Sequence, residues 1–238
     1  MIDGGLFARA VQLIPTDLPL LRDPAYYRDR GDFIGAELTR ESMFRNRPES
    51  VVEVRAAFEL FEHAVLADGR AWVLGSERPG LADVEAVWPF HWLTGMKGAL
   101  PGEVISRETY PRVFAWVARF QEVVSRARKE MEKPTSVNGD EALGIITGSA
   151  WNEDDAAVDP SDPVVQAEGL RAGDVVTVHP TDTGSSHREV GTLVSMTLTE
   201  VVIAVRAEDA NRSAIRVHAP RHGFRVQAGA VKVTDQKL

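Results

Sequence analysis

Trp88, Phe90, His91 and Trp92 crowd four ring side chains into five residues. Such a cluster serves either as a core stripe or as one wall of an apolar ligand pocket, with His91 as its polar contact. A second group stands early in the chain, where Tyr26, Tyr27, Arg28 and Arg30 lie together. Arginines there suit a carboxylate, which a guanidinium binds through two parallel hydrogen bonds. Tyr27, Arg28, Arg30, Trp88, His91 and Trp92 are therefore the candidate ligand-pocket residues. No catalytic residue is assigned, because no Ser-His-Asp set assembles by motif and no phosphate-cradling glycine loop precedes a helix. His218 and His222 stand four apart, but Pro220 between them breaks the helix that metal ligation at this spacing needs. With no cysteine in the chain there is no thiolate ligand or thiol nucleophile either, and no metal site is expected.

These groups need elements to hold them. Gly80 and Asp83 are read as structural capping residues. Glycine at the cap leaves its amide open, and a carboxylate three residues on reaches back to it at the positive end of the helix dipole. The helix they start covers about Leu81 to Leu93, with Pro89 bending it. Before it, Val51, Val54, Phe58, Phe61 and Val65 recur at three- and four-residue steps, which predicts a helix over Glu49–Ala67 closed by Gly69. Glu53, Glu59 and Glu62 fall off that apolar face. A polar helix over Ala36–Arg45 is expected to stop at Pro48. Val113, Trp116, Val117, Phe120 and Val124 mark a last helix over Pro111–Glu130.

Beyond Pro134 the pattern changes. Residues 134–164 hold seven acidic side chains and no lysine or arginine, within a chain of net charge −8. This reads as an acidic linker. Residues 165–238 have a period of two, with strands expected over 174–179, 190–198, 200–206 and 213–218, and a last one split around Gly229. Short strands between turn signals predict a small antiparallel β-barrel of Src-homology-3 or oligonucleotide-binding type. Arg212, Arg216, Arg221 and Arg225 form a modest basic group there, either a solvated face or a docking place for acidic residues 153–162.

The helical part, residues 1–133, resembles the all-helical C-terminal domain of glutathione S-transferases. The resemblance rests on the long helix followed by Trp72-Val73-Leu74-Gly75, on Leu81-Ala82-Asp83-Val84, and on Tyr110-Pro111-Arg112-Val113 with Trp116. The opening through Gly35 looks closest to fungal members with extra C-terminal sequence. Gly80 departs from the serine or threonine of the family. The family's thioredoxin-like domain, which supplies the glutathione site, has no counterpart in this sequence. The fold class expected is thus multidomain α + β, a transferase-C-like bundle followed by a β-barrel. The resemblance implies a transferase-like protein that retains the apolar-ligand half and is not catalytic alone, since glutathione would bind only where a thioredoxin-like domain is supplied. The alternative is a ligand-binding or assembly module whose barrel mediates docking or dimerisation. The expected partners are an apolar small molecule, and a protein partner or second copy. Near-neutral flanking regions argue against nucleic acid, and no apolar run reaches membrane-span length. With no secretory leader pattern at Met1, the expected location is cytoplasmic.

Overall fold

The computed structural model describes residues 5–151, 157–206 and 214–229. The chain divides into two compact units, one of Met1–Arg28 with Leu38–Pro134, the other of Asp29–Glu37 with Thr135–Leu238.

The first unit is helical. A short α1 (Phe7–Val11) is followed by α2 (Pro24–Ile34), which begins in this unit, and by α3 (Arg40–Leu60), α4 (Leu81–Gly95) and α5 (Pro111–Glu130). Pro48 does not stop a helix as the sequence suggests. It lies inside α3, which Thr39 and Ser42 start with a reciprocal capping box. Proline removes one ladder hydrogen bond there, and its outward position leaves the freed carbonyl to water. At the other end α3 passes into a π-turn, Phe61–Val65. The core is aromatic: Phe58, Phe61, Phe90 and Trp116 meet at ring separations between 4.7 and 5.7 Å, with Phe61 stacked on Trp116 at 5.2 Å. Ser50 is fully buried on α3, and among the described residues its hydroxyl has no hydrogen-bond partner. Ser50→Ala is expected to stabilise the protein by about 1 kcal/mol, because it removes an uncompensated desolvation cost. A urea midpoint that stays or falls would refute this.

Among the described residues the second unit holds α6 (Gly139–Gly148), α7 (Pro163–Glu168) and five strands, β1 (Val175–Pro180), β2 (Glu189–Met196), β3 (Glu200–Val205), β4 (Ile215–Pro220) and β5 (Phe224–Ala228). All pairings are antiparallel, in the order β4-β3-β2-β1-β5. This corrects the expected barrel: the sheet is open, and the fold class is α+β with helices first and sheet after. Closure would require β4 to pair with β5. Only three residues separate these strands, and their backbone groups are committed elsewhere. Arg221 N donates to the Thr199 carbonyl and the Gly223 carbonyl accepts from Thr181 N, while Pro220 has no N–H to give. The segment expected as a final strand beyond Gly229 lies outside the described residues.

Parts of the acidic stretch are folded. Asn138 caps α6. Val158 bridges Met196. Asp162 accepts from Val164 N and Val165 N at the start of α7, and its other oxygen takes Arg221 Nη2 at 2.9 Å. One arginine of the basic group therefore meets one acidic side chain of 153–162. Arg216 packs over the Trp151 ring, 3.9 Å from its centroid. Arg212 lies outside the described residues. Among the described residues no helix is long and apolar enough to cross a membrane.

Candidate ligand site in the helical unit

Two buried carboxylates set the frame of this unit. Asp83, with no exposed surface, accepts from Gly80 N at 3.0 Å, Val73 N at 2.9 Å and the Trp116 indole Nε1 at 2.9 Å. The reach back to Gly80 is the cap read from the sequence. The other two bonds tie the 66–80 loop and α5 to the same side chain. Glu62 is the second, 1% exposed, accepting from Arg112 N at 2.9 Å and Val113 N at 3.0 Å, with Arg112 Nη1 at 3.2 Å. It thereby caps α5.

Sequence reasoning placed Glu62 off the apolar face. Glu62 nevertheless stands four residues after the buried Phe58, one turn on along the same face of the helix, so its carboxylate faces inward. A signal did exist. Tyr110 precedes α5 and gives it no side-chain cap, so the exposed amides of that first turn require an acceptor from another element.

A third group is more open. The Tyr110 hydroxyl donates to Glu59 Oε1 at 2.7 Å and accepts from Arg55 Nε at 3.1 Å. The hydrogen bond from Tyr110 holds the Glu59 carboxyl below its ordinary value. Burial, reinforced by that bond to Glu59, raises the phenol.

Between α1 and α3 runs a cleft of about 750 Å³. Leu6, Arg9 and Gln12 come from the α1 side, and Glu53, Ala57 and Leu60 from α3. Its lining is mixed: small and apolar side chains with four polar ones, Arg9, Gln12, Asn46 and Glu53. The α1 helix lies along α3 because Leu6, Ala10 and Leu13 are buried in the same core as Val54 and Phe58. Small side chains at Ala8, Ala56 and Ala57 leave the groove between them unfilled.

A family model described as a domain of unknown function, DUF7962, matches residues 9–129. The chain belongs to the DUF7962 family. No curated protein matches it. Among solved structures, a GST-like protein from Pseudomonas syringae is similar at 20% sequence identity with a TM-score of 0.54. The match covers 95% of this chain and 64% of that one, so this chain spans 64% of the neighbour's length. At that identity the likeness establishes the fold, which is GST-like. Both buried carboxylates and all but the first residues of the cleft lie within the DUF7962 region.

The candidate pocket residues of this DUF7962 protein are not gathered in one place. Trp88 is partly buried and meets Phe7 of α1 at 5.7 Å, and it does not line the cleft. His91 is exposed, and its Nδ1 accepts from the Gln121 amide at 2.6 Å. Trp92 packs partly buried against the main core. The fully buried ring of that helix is Phe90. Tyr27 donates to the Leu21 carbonyl at 2.8 Å beside a separate small core of Leu21, Leu38 and Met43. Arg28 is exposed. Arg30 pairs with Asp29 and lies over the Phe33 ring. The cleft itself was not legible, because its lining is set by the packing of α1 on α3.

Proposed function

We propose that the helical unit is the ligand-holding half of a glutathione S-transferase-like protein, of the kind with extra C-terminal sequence, and that it binds an apolar small molecule in the α1–α3 cleft without catalysing its conversion alone. The observation that carries the reading is the cleft: about 750 Å³ is the size of a small-molecule site, lined by small and apolar side chains together with Arg9, Gln12, Asn46 and Glu53. Arg9 and Glu53 would orient a ligand of mixed polarity, and Trp88 with Phe7 would flank it.

The absence of independent catalysis rests on the chemistry available. Asp83 and Glu62 are buried and accept N–H donors from other parts of the unit, which commits both to holding the fold. The described strands pair antiparallel throughout, whereas a thioredoxin-like unit contains a βαβ crossover. Thiol addition to an electrophile would therefore draw its thiolate site from a thioredoxin-like domain on a longer parent chain or a partner.

Titration with an environment-sensitive apolar dye tests this. Ala8→Trp, at an exposed position on the cleft wall, is expected to weaken dye binding by about tenfold or more, which corresponds to ~1.4 kcal/mol. Equal affinity in wild type and variant would remove the cleft as the site. Turnover of a chromogenic electrophile with glutathione by the purified chain would overturn the non-catalytic part.

A further inference from the structure

Beside the cleft, and sharing Gln12 with it, lies a second hollow of about 320 Å³. Arg40, Met43, Phe44 and Arg47 line it from the first two turns of α3. Steps of three and four residues place these side chains on one face of the helix. Gln12, at the end of α1, and Asp17, in the loop that follows, line it from the other side. The volume lies at the lower end of the range for small-molecule sites.

Three charged side chains meet this hollow, and none neutralises another. Arg47 is fixed in place. Its Nη1 donates to the Leu13 carbonyl at 2.9 Å, and its Nη2 donates to the carbonyls of Gly98 at 2.9 Å and Ala99 at 2.7 Å. These bonds hold the guanidinium and keep it from swinging toward Asp17. Its Nε–H and the second N–H of Nη1 have no partner among the described residues. Arg40 and Asp17 are exposed, and among the described residues neither side chain makes a hydrogen bond or an ion pair. Gln12 adds an acceptor: its Oε1 is enclosed and has no hydrogen-bond partner among the described residues. An amide oxygen shut away from water without a donor carries a desolvation cost that a ligand N–H would remove.

The hollow is therefore dipolar. Two guanidiniums belong to the α3 side, one carboxylate and one amide oxygen belong to the other, and the gap between the charges is too wide for an ion pair. A ligand that carries both charges on neighbouring groups matches it. Charge-assisted hydrogen bonds of ~2.8 Å at each end, with the short span of the ligand between them, bridge such a gap. A simple anion would be opposed by Asp17, and a simple cation by two arginines. Phe44, 59% exposed, offers an apolar wall beside these groups. We propose that the hollow binds a free α-amino acid with an apolar side chain. The carboxylate lies on Arg40 and Arg47, the ammonium donates to Asp17 and Gln12 Oε1, and the side chain packs on Phe44. The site is distinct from the α1–α3 cleft, because Arg40, Arg47 and Asp17 do not line that cleft.

Titration calorimetry of the full chain with L-leucine tests this. Saturable binding is expected, with a Kd of about 1 mM or tighter. Isocaproate, which is leucine without its ammonium, should bind at least about tenfold more weakly, and isoamylamine, which lacks the carboxylate, should not bind. Asp17→Asn should weaken L-leucine binding by about tenfold or more and leave isocaproate no weaker than before, whereas Arg40→Ala should weaken both. Both positions are exposed, so the circular dichroism spectrum should not change in either variant. Ala8→Trp, which fills the cleft, should leave L-leucine binding intact, so failure of the cleft and failure of this hollow are separate results. No saturation at about twentyfold higher concentration would overturn the proposal. So would isocaproate binding as tightly as L-leucine, or wild-type affinity for L-leucine in Asp17→Asn.

Discussion

Asp83→Ala is expected to destabilise the protein by about 4 kcal/mol, a large share of the 5–15 kcal/mol that holds a domain together. The side chain is buried and receives three N–H donors, from Gly80, Val73 and Trp116. Removing it strands all three, at roughly 1–3 kcal/mol for each buried group left unpaired. The loss also unfastens three places at once, namely the start of α4, the loop before it, and α5. Asp83→Asn should cost about half as much, because the amide keeps one acceptor oxygen while its NH2 must face a donor. Urea unfolding gives both values, and the near-ultraviolet circular dichroism of Trp116 should weaken in the alanine variant before unfolding. A loss below about 1 kcal/mol would show that these donors find other acceptors.

Glu62→Ala has the second largest expected effect, about 3 kcal/mol. The carboxylate serves two backbone amides at the N-terminus of α5, and the Val113 amide is fully enclosed. Nothing local replaces it, since Tyr110 provides no side-chain cap. The arginine it also touches matters less. Arg112 has 46% of its side chain exposed, so that ion pair contributes at most about 1 kcal/mol. Arg112→Ala should therefore cost far less than Glu62→Ala, because it keeps the backbone N–H that Glu62 serves. Equal losses in the two variants would assign the stabilisation to the ion pair and not to the cap.

These two carboxylates also show how far the sequence could be read. Asp83 was legible because its main partner, Gly80, is three residues away, and a capping pattern is a property of one helical turn. The strands over 175–205 and the helix over 111–130 were legible for the same reason: period and turn residues are local. Glu62 was not, because a carboxylate one turn after Phe58 is read as solvent-facing until the amides it serves, Arg112 N and Val113 N about 50 residues away, are seen to lie against it. Pro48 misled in the opposite direction. The local rule says proline ends a helix, but one lost hydrogen bond on the outer face is outweighed by the packing of Met43, Val54 and Phe58 on the inner one.

By itself the sequence determined α4, α5 and the run of short strands, the cap that starts α4, and a GST-like fold. Each depends on contacts within a few residues or on a pattern several elements long. Only the tertiary structure decided that the sheet is open, since closure depends on where the residues between β4 and β5 place their hydrogen bonds. It also decided that Phe90, and not its neighbours, is the core ring of α4, and that small side chains on α1 and α3 leave a cleft. Those outcomes belong to pairs of elements distant in the chain, whose contact no local propensity encodes.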